Sequence, residues 1–489
     1  MDKGIGLSPK TSFTPLEVVS LVLIFFYVAA NLLTLNLSPL PWFDEVFFAD
    51  ISRAVSQTGK MNLTIFPGIF KEEITTYGPV YFWIQGLLIK IWGLNPFTFR
   101  LLNFASGVAC MALLFKIVRL QSPKFAIPAA AILAFDPIFV QNLHSGRMDL
   151  LVVSMSLGAL YTVLSGGPKI SKPRLLVCGV LLSLAYLTSP RAIFLVIPVL
   201  VVTLTRYGIY PSLMVGALVA SLISIYIFRA FGGYLEYYQA FTQNKAVVAH
   251  IGTNAKNNTF FRYWHHYPVY LGVILSVVAY ISNPQKKYFS AILVSGLTIL
   301  LFHFLVVEKG PYSAMIFPYY ILIILTGYLS GKNIWISRSI GAIILLTLLI
   351  HIGYFHVKII SVLDNQVARS PIQAKEQIKK FGIKNNALIA SYEYYYICRS
   401  LNMEYIGYEI PINLNRRIRY HLDSTRATHI LVNEKDQKSH QFEIYLRTHR
   451  IKKVTEIRYP EYRSHIPFSL ERYIGKSPTY QGSLYEIVK

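Results

Sequence analysis

A succession of apolar runs, each close to the length needed to cross a bilayer, constrains this chain more than any other feature. They lie at about 16–36, 97–117, 125–143, 148–165, 172–189, 191–206, 210–229, 266–282, 288–307, 312–330 and 333–353, about eleven in all. A helix needs about 20 apolar residues to span ~30 Å of hydrocarbon. Of the 489 residues 54% are hydrophobic and only 15% charged, too little polar surface for a soluble protein of this size. The predicted fold class is therefore a polytopic α-helical membrane protein with about eleven transmembrane helices.

One further apolar stretch, 79–93 (PVYFWIQGLLIKIWG), is short for a span at 1.5 Å per residue. It carries Trp83, Gln85, Lys90 and Trp92, a composition suited to lying in the membrane interface. Charge supports leaving it out. With a cytoplasmic N-terminus, eleven spans put Lys116, Arg119 and Lys124, then Lys169, Lys172 and Arg174, then Arg206, Lys286, Lys287, Lys332 and Arg338 inside, as the positive-inside rule requires. Counting 79–93 as a span reverses that bias. The first run follows two lysines without a small-residue cleavage pattern and reads as an uncleaved signal anchor. The expected organisation is a transmembrane domain over 1–353, with interfacial helices in a first outer loop at about 37–96. An extracytoplasmic α/β domain follows over 354–489, with a helix near 371–381 and strands at 387–391, 429–432 and 483–488.

The formal net charge is +23. In so apolar a chain, basic loops facing anionic headgroups and basic groups serving a phosphate-bearing substrate explain this better than nucleic acid, which is not expected as a partner. Cys110 and Cys178 fall in apolar runs and Cys398 has no obvious partner, so no disulfide framework is readable. There is no P-loop, GxGxxG or zinc-type His/Cys spacing. The adjacent His265 and His266, after Trp264, read as an interface feature rather than a metal site; no cofactor is expected, with a divalent metal left open and Asp149 the second carboxylate for it.

Ionisable residues beside a membrane interior are costly and need a reason. Here they gather on the predicted outer side: Asp44 and Glu45, Glu72 and Glu73, Arg100, His144, Arg147 and Asp149, Arg191, Arg229, Lys245, and Glu308 with Lys309. Paired carboxylates among cations suit a site that deprotonates an acceptor while holding a phosphate. Asp44–Glu45 directly follows the first span and opens an amphipathic helix with Phe47, Ile51, Ala54 and Val55 on one face. The plainer reading makes Asp44 an N-cap and Glu45 a complement to the helix dipole. Neighbouring helical residues diverge by ~100°, so the two carboxylates take different jobs. For Arg100, Arg147 and Asp149 the plainer reading is snorkelling towards headgroups, and for Lys309 an ordinary turn. The Tyr394–Tyr396 run reads as packing within the tail. Asp136–Pro137 reads equally as a helix distortion or a cavity-lining group.

Four stretches, in order, carry a family pattern: Pro41-Trp42-Phe43-Asp44-Glu45, Tyr77-Gly78-Pro79-Val80-Tyr81-Phe82-Trp83, Phe99-Arg100-Leu101-Leu102, and Lys309-Gly310-Pro311-Tyr312 with Phe317-Pro318. On these, residues 15–330 resemble the C-type, membrane-embedded glycosyltransferases. The likeness is greatest to the bacterial branch of the protein O-mannosyltransferase superfamily (glycosyltransferase family 39), whose plan the aminoarabinose transferases of lipid A share. The resemblance implies transfer of a sugar, with inversion, from a polyprenyl-phosphate donor to an acceptor hydroxyl on a glycan, lipid or protein. It implies Asp44 as general base, Glu45 as its positioning neighbour, and Arg100, Arg147 and Lys309 as holders of the donor phosphate. Tyr77, Pro79, Tyr81, Asp149 and Tyr312 would line the pocket. The family usually has two prolines where this chain has Gly78-Pro79, often with a histidine where it has Tyr77, which leaves the acceptor open. Such a protein sits in the cell membrane, among lipids, with its site and tail outside the cytoplasm. The alternatives are a polyprenyl-linked glycan ligase or oligosaccharide transferase, and a transporter or lipid flippase. The last would place ionisable groups near the midplane, often in repeated halves.

Overall fold

A computed structural model describes residues 15–66, 73–74, 77–251, 263–306, 312–383, 387–408, 427–448, 450–459 and 479–488. Among the described residues, fifteen α-helices precede the tail: α1 Pro15–Thr34, α2 Phe43–Thr58, α3 Pro79–Trp92, α4 Pro96–Gln121, α5 Pro123–Phe135, α6 Pro137–Leu143, α7 Asp149–Leu164, α8 Lys172–Thr188, α9 Ile193–Tyr207, α10 Ile209–Phe231, α11 Tyr234–Ile251, α12 Tyr267–Ser282, α13 Phe289–Leu305, α14 Phe317–Ser330 and α15 Ile334–Asp364. Proline sits in the first turn of α3, α4, α5, α6, α8, α12 and α14. There its missing N–H costs nothing and its fixed φ favours the helix.

Each stretch read as a span is helical, but length and apolarity alone qualify five described helices: Pro96–Gln121, Pro190–Tyr207, Ile209–Phe231, Lys286–Leu305 and Ile334–Asp364. The consecutive helices α5 and α6 add a sixth if taken as one span, bent by 68° where Asp136 interrupts the ladder. Asp136 caps the second half, its Oδ1 accepting from the Phe139 amide at 2.8 Å. The last span runs to Asp364, past the domain boundary read at 353. Its end carries His356, Lys358 and Asp364, which look like a departure from the membrane in hydropathy but continue the helix. In the bundle core, Leu, Val, Ile, Phe and Ala from α4, α5, α7, α8, α9, α13 and α14 form one continuous cluster.

Helices α2 and α3 pack against each other. Helix α3 buries Val80, Tyr81, Phe82, Gln85 and Ile89 and leaves Trp83, Leu87, Ile91 and Trp92 exposed. That one-sided burial is what the sequence of 79–93 predicts for an amphipathic segment.

After α15 come α16 Gln366–Arg369, α17 Pro371–Lys380, α18 Tyr395–Ser400, α19 Glu434–Gln437 and α20 His440–Thr448, with strands β1 Ala387–Ala390, β2 Glu404–Gly407, β3 Ala427–Asn433, β4 Ile451–Ile457 and β5 Gly482–Ile487. The sheet order is β2-β1-β3-β5-β4, with β1 parallel to β2 and β3, and β5 antiparallel to β3 and β4. One face of the sheet packs on Phe442 and neighbours. The other joins a cluster that includes Val46, Phe47, Phe48, Ile65, Phe66, Tyr81 and Phe99. The tail therefore shares its core with the 37–96 loop. Hydrogen bonds to backbone carbonyls seal the join: Gly407 N donates to Ile65 O at 2.9 Å, and the side-chain Nε of Arg369 donates to Leu37 O at 2.7 Å.

Candidate active site

The acidic pair opens α2. Its N-cap is Trp42, which makes no side-chain cap, and both carboxylates lie in the first turn, where the helix dipole favours negative charge. Asp44 is thus not the cap. The two side chains diverge as helical geometry demands. Glu45, fully buried, receives both Nε and Nη2 of Arg100 at 3.0 Å. Asp44, whose side chain is 28% exposed, is bonded by Nη1 of Arg147.

Arg100 is fully buried at the start of α4. Two more of its N–H groups go to Leu35 O and Pro39 O, each at 2.7 Å. A bidentate arginine–carboxylate pair braced by two further hydrogen bonds is a rigid unit. Tyr396, from the tail, adds its hydroxyl to Glu45 Oε1 at 3.2 Å. Arg100 thus serves Glu45 and the chain ahead of α2, while Asp44 pairs with Arg147 instead.

Arg147 also reaches back to Asp149, its Nε donating to Oδ2 at 2.6 Å. Burial works against its charge, but Asp149 and Asp44 outweigh burial and hold the guanidinium above its ordinary range. Glycine at 146 makes this turn possible: a Cβ there would lie 2.2 Å from the Phe99 ring and 3.1 Å from Glu45 Cγ. Asn103 steadies the same turn by donating to the carbonyls of Asn142 and Ser145.

The Tyr312 ring lies between two guanidiniums, with Arg147 at 4.9 Å and Arg191 at 4.4 Å. Arg191 sits in a short 3-10 turn, Pro190–Ala192, between α8 and α9. Among the described residues it has no carboxylate partner. It is the site's most available cation. The sequence reading noted Arg191 among the outer charges without assigning it a role. Its signal was present, a lone arginine after Ser-Pro at a span end, but nothing in sequence placed it against Tyr312.

Tyr77 packs edge-on against Phe48 at 5.0 Å. Its hydroxyl is pushed far up by burial, then by Tyr312, with Arg191 pulling the other way. Pro79 begins α3. Glycine precedes it because a Cβ at Gly78 would lie 1.8 Å from Leu187 O, so no side chain fits there. Tyr81 is fully buried and accepts from Gln85 at 3.1 Å, placing it beneath the site rather than on its surface. Lys309, Glu72 and Glu308 lie outside the described residues. Next to Tyr77, a narrow aromatic cleft runs between Tyr186, Pro190, Ile223, Tyr226 and Tyr237.

Residues 76–231 match the family described as dolichyl-phosphate-mannose-protein mannosyltransferase. The whole fold is similar to the crystal structure of ArnT from Cupriavidus metallidurans bound to undecaprenyl phosphate, at a TM-score of 0.59 and 11% identity, covering 96% of this chain and 98% of that one. It is also similar to the apo state of the same protein, at a TM-score of 0.53 and 13% identity, with the same coverage. No curated protein matches the sequence significantly. Residues 76–231 thus carry the pattern of that mannosyltransferase family, and the chain as a whole has the fold seen in those two crystal structures.

Proposed function

We propose that this protein is an inverting glycosyltransferase of the cell membrane that moves a sugar from a polyprenyl-phosphate donor to an acceptor hydroxyl on the exterior face. The observation that carries the reading is Asp44: a partly exposed carboxylate, fixed by Arg147, whose guanidinium shares the Tyr312 ring with Arg191, a cation with no carboxylate partner among the described residues. The solved relative that shares this fold was crystallised with undecaprenyl phosphate.

In this reading Asp44 accepts the proton of the acceptor hydroxyl as that oxygen attacks the anomeric carbon from the face opposite the phosphate. The phosphate departs with accumulating negative charge, and a fixed cation in a site shielded from water lowers that barrier. Arg191, together with the remaining donors of Arg147, supplies the cation. Lys309, three positions before Tyr312 in the sequence, is assigned to the same phosphate. Arg100 moves from phosphate holder to positioning residue, because Glu45 and two carbonyls occupy it. Glu45 in turn fixes the first turn of α2. Asp149 orients Arg147. The lipid tail of the donor would follow the cleft beside Tyr77, with the sugar above it between Tyr77 and Tyr312.

The site's charges gather at one end of the bundle rather than at its middle, which favours an enzyme over a transporter. The test is to supply envelope membranes containing the overproduced protein, which carry the native acceptors, with a panel of radiolabelled polyprenyl-monophosphate sugars, alongside membranes that lack it. The reading predicts release of polyprenyl phosphate from at least one of them, with the opposite anomeric configuration in the product. Retention of configuration, or no consumption of any monophosphate donor, would refute it.

A further inference from the structure

Away from Asp44, a second group of ionisable side chains is buried in the bundle. Asp136 stands at the break between α5 and α6, His266 just before α12, and His351 midway along α15. Their side chains are at most 1% exposed. Each offers one ligating atom, and those atoms all lie within 4.8 Å of one another. Among the described residues no other group of three His, Cys, Asp or Glu converges this closely.

Hydrogen bonding explains only part of the group. Asp136 Oδ1 is occupied by the Phe139 amide, and Oδ2 meets His266 Nε2 at 2.6 Å. His351 Nε2 stops 3.8 Å from the same Oδ2, too far for a hydrogen bond. Neither ring nitrogen of His351 makes a well-aligned hydrogen bond, only the backbone of Ile132 and His265 lying nearby, and Nε2 of the neighbouring His265 is also buried without a bond. A buried imidazole so weakly satisfied is costly, and here it faces a buried carboxylate.

We infer that Asp136, His266 and His351 form a structural site for a divalent transition-metal ion of the zinc class. Two histidines and a carboxylate are borderline N and O donors suited to that ion. Two ligands on one tetrahedral zinc stand about 3.3 Å apart, from bonds of about 2.0–2.1 Å. An ion would therefore replace the 2.6 Å hydrogen bond by spreading that pair slightly, and would draw the 3.8 Å pair closer. His265, its ring centroid 4.5 Å from that of His266, is a neighbouring imidazole that would complete a four-ligand set. A site closed by four protein ligands is structural rather than catalytic.

Its place in the fold suggests what it does. The ion would tie the broken α5–α6 pair to α12 and α15, three elements far apart in sequence. The Phe317 ring stacks on His266 with centroids 4.9 Å apart and begins α14, the helix that follows Tyr312. The metal would thus hold the base of the segment that presents Tyr312 to Arg147 and Arg191. The inference stands on these side chains alone and does not require sugar transfer.

The test is metal analysis of the full-length protein, purified in detergent without chelators. About one zinc-class ion per chain is expected in the wild type, falling below about a tenth in the H266Q H351Q double variant. Stripping the ion should lower the melting temperature of the wild type and leave the double variant unmoved. Cobalt added to stripped wild type should give the visible absorption of a tetrahedral site. A wild type with no bound ion and no thermal response to added zinc would reduce the group to a buried Asp–His hydrogen bond. Full metal retention in the double variant would place the ion elsewhere. Either outcome overturns the inference.

Discussion

Asp44 and Glu45 are neighbours in sequence with opposite environments, one partly exposed on a cation and the other sealed between Arg100 and Tyr396. The difference gives separable predictions. Replacing Glu45 with Gln leaves the buried Arg100 guanidinium without its counter-charge, and losing one partner of a buried pair costs about 3–5 kcal/mol. E45Q should therefore lower thermal stability, measured by melting in detergent, as well as activity. Arg191 predicts a different pattern. A charge-assisted bond to phosphate is worth about 1.5–3 kcal/mol, so R191A should raise the KM for the donor roughly tenfold to a hundredfold without a comparable loss of melting temperature. Steady-state kinetics over a range of donor concentrations would show it. The acidic pair, Arg147 and Asp149 were legible in sequence because charge beside an apolar run has few excuses. The partner of each was not: Arg100 and Arg147 read as equivalent until the structure gave the first to Glu45 and the second to Asp44.

Helices and strands were legible to the extent that burial leaves a periodic trace. Helix α17 and strands β1, β3 and β5 fall close to the segments predicted for them. Strands β2 and β4 were not seen. The first is only four residues long, and the second, IKKVTEI, is a largely exposed edge strand whose charges hide its alternation. The Tyr394–Tyr396 run illustrates a different limit. It does pack within the tail, but Tyr395 also donates to Asp50 at 3.1 Å, and Tyr396 reaches Glu45. Asp50 further accepts from Thr64 Oγ1 at 2.9 Å, Ile65 N at 3.0 Å and Arg399 at 3.1 Å. This one carboxylate pins the tail to the loop that carries the acidic pair. R399A should loosen that join, and limited proteolysis should then cut the tail several-fold faster than in the wild type while the bundle helices stay intact. An unchanged digestion rate would mean that the apolar interface alone holds the tail.

For the whole molecule, the apolar runs and the basic loops between them suffice to derive a membrane bundle and to propose its orientation. They do not reveal that the tail and the 37–96 loop share one core, because contacts between segments some 350 residues apart leave no local pattern. The proposed orientation puts Lys286 inside and Gln243 outside. A single cysteine at 286 should resist an impermeant thiol reagent applied to intact cells, and one at 243 should react. The reverse would put the site on the wrong side for an exterior acceptor.

The account rests most heavily on Asp44 as the proton acceptor, and single-turnover transfer by D44N with a competent polyprenyl-phosphate sugar tests that directly. Asparagine keeps the size and a hydrogen-bonding oxygen but not the basicity, and loss of a general base typically costs 10²–10⁴-fold. The predicted result is a loss of about that size with donor binding preserved. Transfer at the wild-type rate by D44N would contradict it.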